Sequence, residues 1–202
     1  MATAPLIIGL GHRKRVGKDA FASFLKTEFA DRGYKVVELA FAEAMKEMAE
    51  TMFWLYGMRV AFHYEVNLDH REQPLDRIGK TPRQLWIEFG NAMRNIYPDI
   101  WVDRIRGGIN VAFMHSRLRH ENPPVFIITD VRFPNEVDMI RSMGGALVRI
   151  MRPDVADTDD PADSALAGFD GWDVVVRNDG SLSGLARKAG ILSQDILKKK
   201  AD

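Results

Sequence analysis

Residues 5–19 restrict the fold more than any other part of the chain. Pro5-Leu6-Ile7-Ile8-Gly9-Leu10 is a short, nearly continuous apolar run, the pattern of a β-strand buried on both faces. It leads directly into Gly11-His12-Arg13-Lys14-Arg15-Val16-Gly17-Lys18-Asp19. Phe21, Phe24, Leu25 and Phe29 then recur at helical spacing, with Gly33 as the stop. Strand, glycine-bounded loop and helix together form the context in which backbone N–H groups and the positive end of a helix cradle a polyphosphate. The bland alternative is a glycine turn carrying solvated basic residues. In the phosphate-loop reading, Gly11, Arg13, Lys14, Val16, Gly17, Lys18, Asp19 and Ala20 surround the bound phosphates. Lys18 reaches the outer phosphates as a point charge, and Arg15 approaches the group in transfer. Five residues separate Gly11 from Gly17 where the usual pattern has four, and Asp19 replaces the usual serine or threonine. A carboxylate there is still an oxygen ligand for a hard cation such as magnesium.

The rest of the chain alternates. Strands are expected at 36–41, 125–129, 146–151 and 172–176. Met45, Met48, Ala49, Met52, Phe53 and Tyr56 predict a helix that stops near Gly57. Residues 58–80 are polar and give no clear pattern. Thr81-Pro82-Arg83-Gln84 is a helix start with its own capping box, leading into Leu85, Trp86, Phe89 and Met93. A further helix begins near Asp99, weakened by Gly107-Gly108. Pro134 opens a helix ending at Gly144, and residues 182–197 form a closing one. This predicts a single α/β domain over 1–202: a five-stranded, mainly parallel sheet flanked by helices, with its chemistry at the carboxyl ends of the strands. The mostly helical segment of about 57–120 is expected to grip the acceptor. Asp154-to-Asp163, with five aspartates and no aromatic, lies in a candidate lid at about 152–171.

A second cluster follows the third strand. Asp130 lies at the carboxyl end of a buried run, where an acid holds magnesium directly or through water. Arg132, two residues on, is set to face the same crevice, where a guanidinium suits bidentate phosphate binding. The bland readings are a helix cap and a surface ion pair. Trp86, Phe89 and Trp101 are at spacings that favour core packing over base stacking. Arg83, Arg94, Arg104 and Arg106 could line an acceptor-phosphate pocket, although a lone arginine is more often solvated.

Composition narrows the function classes. The formal net charge is +0, so no global field draws in a nucleic acid polymer or an anionic membrane, and anion binding must come from local clusters. With no cysteine there is no disulfide or thiolate metal site, and the five histidines show no zinc spacing. No secretory leader and no apolar run near the length of a membrane helix is found, so a cytoplasmic protein is expected.

The loop ending Gly17-Lys18-Asp19, the 41–46 stretch, the 90–101 segment, Asp130-Val131-Arg132-Phe133-Pro134-Asn135-Glu136 and Asn178-Asp179-Gly180-Ser181-Leu182 occur in one order over nearly the whole chain. Together they resemble the deoxynucleoside monophosphate kinases of tailed phages. The resemblance implies a P-loop kinase fold, ATP with magnesium as donor, a deoxynucleoside monophosphate as acceptor, and the cytoplasm of a bacterial host. It places Lys18, Arg15 and Arg132 in catalysis, Asp19 and Asp130 on the metal, and Lys46, Arg94, Trp101, Arg132, Asn135 and Glu136 around the acceptor. A P-loop kinase of another small molecule, or a nucleotide-binding module without turnover, is the alternative, and a homodimer is left open.

Overall fold

The short apolar runs become strands and the helically spaced runs become helices. The structure, a computed structural model, describes residues 4–11, 13–53, 72–76, 78–155 and 164–201. In chain order the elements are β1 (Leu6–Gly11), α1 (Lys18–Asp31), β2 (Val36–Leu39), α2 (Phe41–Phe53), α3 (Pro82–Ile96) and α4 (Ile100–Leu118). Then come β3 (Val125–Val131), α5 (Pro134–Ser142), β4 (Ala146–Met151), β5 (Val174–Arg177) and α6 (Leu182–Ala201). The five strands form one parallel sheet in the order β2-β3-β1-β4-β5. The chain divides into two compact units, Met1–Ala40 with Arg106–Asp202, and Phe41–Ile105.

The sheet belongs to the first unit, with β1 at its centre. Ile8 and Leu10 of β1 join Val148, Ile150 and Val176 in one cluster with Phe21, Leu25 and Phe29 of α1 and Leu185, Ala189 and Leu192 of α6. Each such side chain, taken fully out of water, stabilises the fold by roughly 1.5–3 kcal/mol. Gly9 and Gly11 alternate onto the opposite face, where α5 packs against β1 and β4. A methyl at Gly11 would overlap the Trp172 indole, so that glycine is required by close approach. Trp172 is fixed in turn: its Nε1 donates to the Phe169 carbonyl at 3.0 Å, and the two rings meet edge to face at 5.1 Å. Arg141 of α5 lies 5.2 Å from the Phe169 ring and donates to the Gly171 carbonyl at 2.7 Å.

In the second unit α2 and α3 pack through Ala49, Leu85 and Trp86, with Met45, Leu75, Ile78 and Phe89 around them. The expected capping box starts α3. Gln84 N donates to Thr81 Oγ1 at 3.1 Å, and Thr81 N to Gln84 Oε1 at 2.9 Å.

Three expectations change. β2 ends at Leu39, and Phe41 opens α2, because its ring is buried on a helix face. α4 runs unbroken through Gly107-Gly108, since Trp101, Val102, Ile105 and Ile109 are buried at helical spacing and outweigh the glycine cost of about 1 kcal/mol each. β5 begins at Val174, and Trp172 belongs to the turn before it. The predicted stop near Gly57, most of 58–80, and residues 156–163 of the candidate lid lie outside the described residues. Among the described residues no helix is long and apolar enough to cross a membrane.

Candidate active site

β1 hands the chain to the loop at Gly11, and the loop ends where Lys18 opens α1. Arg15 (φ 61) and Gly17 (φ 94) are both left-handed and alternate with Val16. Such alternation turns successive N–H groups toward one concavity, a nest for an anion. Gly17 is the N-cap of α1 and brings no capping side chain of its own; the amino end of a helix is where backbone N–H groups and the positive end of the helix favour an anion. The Val16 side chain is 3% exposed and packs in the sheet core, so this residue offers the loop only its backbone. Ala20 is likewise half-buried against the core, while Arg13 and Lys14 are half-buried along the loop. Lys18 is 7% exposed, and its ammonium donates to the Arg13 carbonyl across the loop. A phosphate would offer that ammonium a charge-assisted partner. Asp19 is exposed in the first turn of α1, and His12 lies outside the described residues.

The end of β3 completes this side of the site. Gly11 pairs with Val131, so Asp130 and Arg132 flank the residue beside the start of the loop. The register slips between Gly9 and Gly11: two steps along β1 oppose three along β3, from Ile128 to Val131. A bulge of this kind re-aims side chains, and here it falls on Thr129 and Asp130, both buried. Among the described residues no group of three or more His, Cys, Asp or Glu could hold a metal. Magnesium in phosphoryl-transfer sites needs only one or two carboxylates beside substrate phosphates and water. The carboxylates that such a requirement would draw on here are the buried Asp130 at the end of β3 and the exposed Asp19 in the first turn of α1.

Arg132 and Asn135 are half-buried. Glu136 is a correction. It is 3% exposed and points inward, its Oε2 accepting from Arg132 N at 2.7 Å and Phe133 N at 3.1 Å. The carboxylate closes the start of α5 and fixes the backbone that carries Arg132, a structural role that the sequence reading had not assigned to it.

Lys46, Arg94 and Trp101 fall in the Phe41–Ile105 unit. The Lys46 ammonium lies 5.3 Å over the Trp86 ring, and Arg94 is half-buried in the last turn of α3. Trp101 is a second correction. Its ring is 1% exposed, 6.0 Å from Phe89, with Nε1 donating to the Gly90 carbonyl at 3.3 Å, and it has no face left for a base. Arg83 is held by Glu72 at 2.9 Å on the surface.

One residue to which sequence reasoning assigned no role reaches the loop. Asn178, just past β5, donates from Nδ2 to the Val16 carbonyl at 3.0 Å. Its own N–H donates to Met151 O at 2.6 Å. Next to it, hydrogen bonding from Lys188 holds the Asp179 carboxyl below its ordinary value of 3.8. An Asn-Asp-Gly run after a strand reads from sequence as a turn, which hides the long-range contact. A cavity of about 1230 Å³ opens elsewhere in the first unit, lined by Leu6, Ala146 and Val174 at the amino ends of their strands, opposite the phosphate loop.

The family model described as deoxynucleotide monophosphate kinase matches residues 90–189. A protein of Acanthamoeba polyphaga mimivirus that carries the name of a deoxynucleotide monophosphate kinase is 33% identical over 184 residues, 86% of this chain and 88% of its own. Among solved structures, a dephospho-CoA kinase from Campylobacter jejuni is 13% identical over 95% of this chain and 96% of its own, with a TM-score of 0.46. An APS kinase of Mycobacterium tuberculosis is 12% identical over 98% and 99%, with a TM-score of 0.44. The fold assignment rests instead on the strand order and on the loop between β1 and α1. The sequence match and this architecture agree: the chain belongs to the deoxynucleotide monophosphate kinase family, and it is a nucleotide monophosphate kinase of the P-loop kinase fold.

Proposed function

We propose that the enzyme transfers the γ-phosphoryl group of ATP to deoxynucleoside monophosphates, giving ADP and the deoxynucleoside diphosphate. The observation that carries this reading is the pairing of Gly11 with Val131, which brings Asp130 and Arg132 beside the phosphate loop in one unit. The acceptor phosphate oxygen is already an anion, so no strong base is needed. It forms the new P–O bond as the bond from the γ-phosphorus to the β–γ bridging oxygen breaks. Catalysis is then positioning and charge neutralisation.

Lys18 and the loop amides hold the donor phosphates, and Arg15 approaches the group in transfer. Asp130 and Asp19 are the proposed ligands of magnesium, which, when bound, neutralises the β- and γ-phosphate oxygens. Arg132 offers a planar fork to the acceptor phosphate, its backbone fixed by Glu136, with Asn135 in the next turn. In the Phe41–Ile105 unit, Lys46 and Arg94 are proposed as acceptor contacts, each tested by its own acceptor KM. A coupled assay of ADP formation with magnesium-ATP and every common deoxy- and ribonucleoside monophosphate tests the proposal. Turnover dependent on a deoxynucleoside monophosphate is expected; turnover only with a nucleoside or a non-nucleotide acceptor would replace it.

A further inference from the structure

The phosphate loop is braced by a residue distant in sequence. Asn178 Nδ2 donates to the Val16 carbonyl at 3.0 Å across 162 residues of chain. In a trans peptide the carbonyl of one residue and the N–H of the next point in opposite directions. Holding the Val16 carbonyl on Asn178 therefore aims the Gly17 N–H the other way. A loop that binds an anion through N–H groups needs its carbonyls turned outward, because an inward carbonyl would repel the phosphate.

Asn178 is itself held in place. Its backbone N–H donates to Met151 O at 2.6 Å, at the end of β4. Asp179 pairs with Lys188 of α6 at 3.0 Å, and Lys188 also donates to the Arg177 carbonyl. The turn between β5 and α6 is thus tied on both sides of Asn178. The side chain also occupies the space beside Gly17: a Cβ built at Gly17 would lie 2.5 Å from Asn178 Nδ2. The loop conformation and the asparagine are fitted to each other.

We infer that Asn178 is a positioning residue for phosphoryl transfer: its amide orients the Val16–Gly17 peptide so that the loop presents N–H groups to the polyphosphate. This rests on the phosphate-loop reading given above. It makes no contact between Asn178 and the nucleotide necessary.

The test uses the full-length enzyme and two probes, ATP and inorganic tripolyphosphate, with Kd measured by calorimetry. Asn178→Asp keeps the shape, loses the donor and sets a carboxylate against the Val16 carbonyl. Asn178→Ala removes the donor without adding charge and serves if the aspartate variant does not fold. Loss of this bond is expected to weaken ATP and tripolyphosphate by the same factor, about 10-fold. The acceptor KM is expected to stay at its wild-type value. Weakened ATP with unchanged tripolyphosphate would overturn the inference, since Asn178 would then act on the nucleoside. A lowered melting temperature with both Kd values unchanged would also overturn it, leaving a structural role alone. Wild-type enzyme that binds neither probe would sink the phosphate-loop reading itself. Wild-type binding together with full turnover in both folded variants would sink only the role of Asn178.

Discussion

Gly17→Ala tests the loop geometry where Asn178 packs against it. Gly17 has φ 94, in the left-handed region, which costs an L-residue about 1–2 kcal/mol. The new methyl would also lie 2.5 Å from Asn178 Nδ2, so the amide must move and its bond to the Val16 carbonyl is lost. That hydrogen bond contributes about 1 kcal/mol. The two effects sum to about 2–3 kcal/mol, which in a protein of this size lowers the melting temperature by roughly 4–12 °C. Thermal denaturation of the variant measures it. The double variant Gly17→Ala, Asn178→Ala separates the contributions, because the clash disappears when the amide is absent while the φ cost remains. The double variant is expected to be more stable than the sum of the single losses by about 1 kcal/mol. A Gly17→Ala enzyme that melts with wild type, or losses that add without coupling, would show that Gly17 and Asn178 are not fitted to each other.

Arg132→Lys keeps the charge and loses the fork, so acceptor kcat/KM is expected to fall roughly 10-fold with ATP KM unchanged; a lower melting temperature with normal acceptor kinetics would make Arg132 structural. Asp130→Asn is expected to shift the magnesium titration of the rate to higher concentration, and an unshifted titration with a raised acceptor KM would move Asp130 to the acceptor side. Trp101→Ala removes a ring that is 1% exposed and is expected to cost about 3–5 kcal/mol in denaturation. The acceptor KM of the folded fraction should be unchanged, and a large rise in it would return Trp101 to the acceptor site.

The parts of the fold legible in the sequence are those set by local pattern. Ile7, Ile8 and Leu10 mark β1 because a central parallel strand is apolar on both faces. Thr81 and Gln84 mark the start of α3 because a capping box is a local device. Gly107 and Gly108 misled because intrinsic propensity is weaker than burial of the residues around them. The site was less legible. Glu136 lies within a motif that resembles a ligand-binding run, and only the structure turns its carboxylate back onto the Arg132 and Phe133 amides. Trp101 falls in an acceptor-like segment, which drew it to the acceptor although its helical spacing already favoured the core where it lies. The bulge that re-aims Asp130 depends on pairing with β1, and the Asn178 brace depends on contact between the two ends of the chain. No periodicity in a sequence encodes either.

Lys18 and its loop are proposed to hold ATP for transfer to a deoxynucleoside monophosphate. The most direct measurement follows γ-labelled ATP with magnesium and a deoxynucleoside monophosphate, with products separated, for wild-type enzyme and Lys18→Ala. Label is expected on the deoxynucleoside diphosphate with wild type, and its rate of appearance should fall on the order of 100-fold or more in a folded Lys18→Ala enzyme. Label that remains on ATP or leaves as inorganic phosphate with wild type, or equal transfer by Lys18→Ala, would contradict the account.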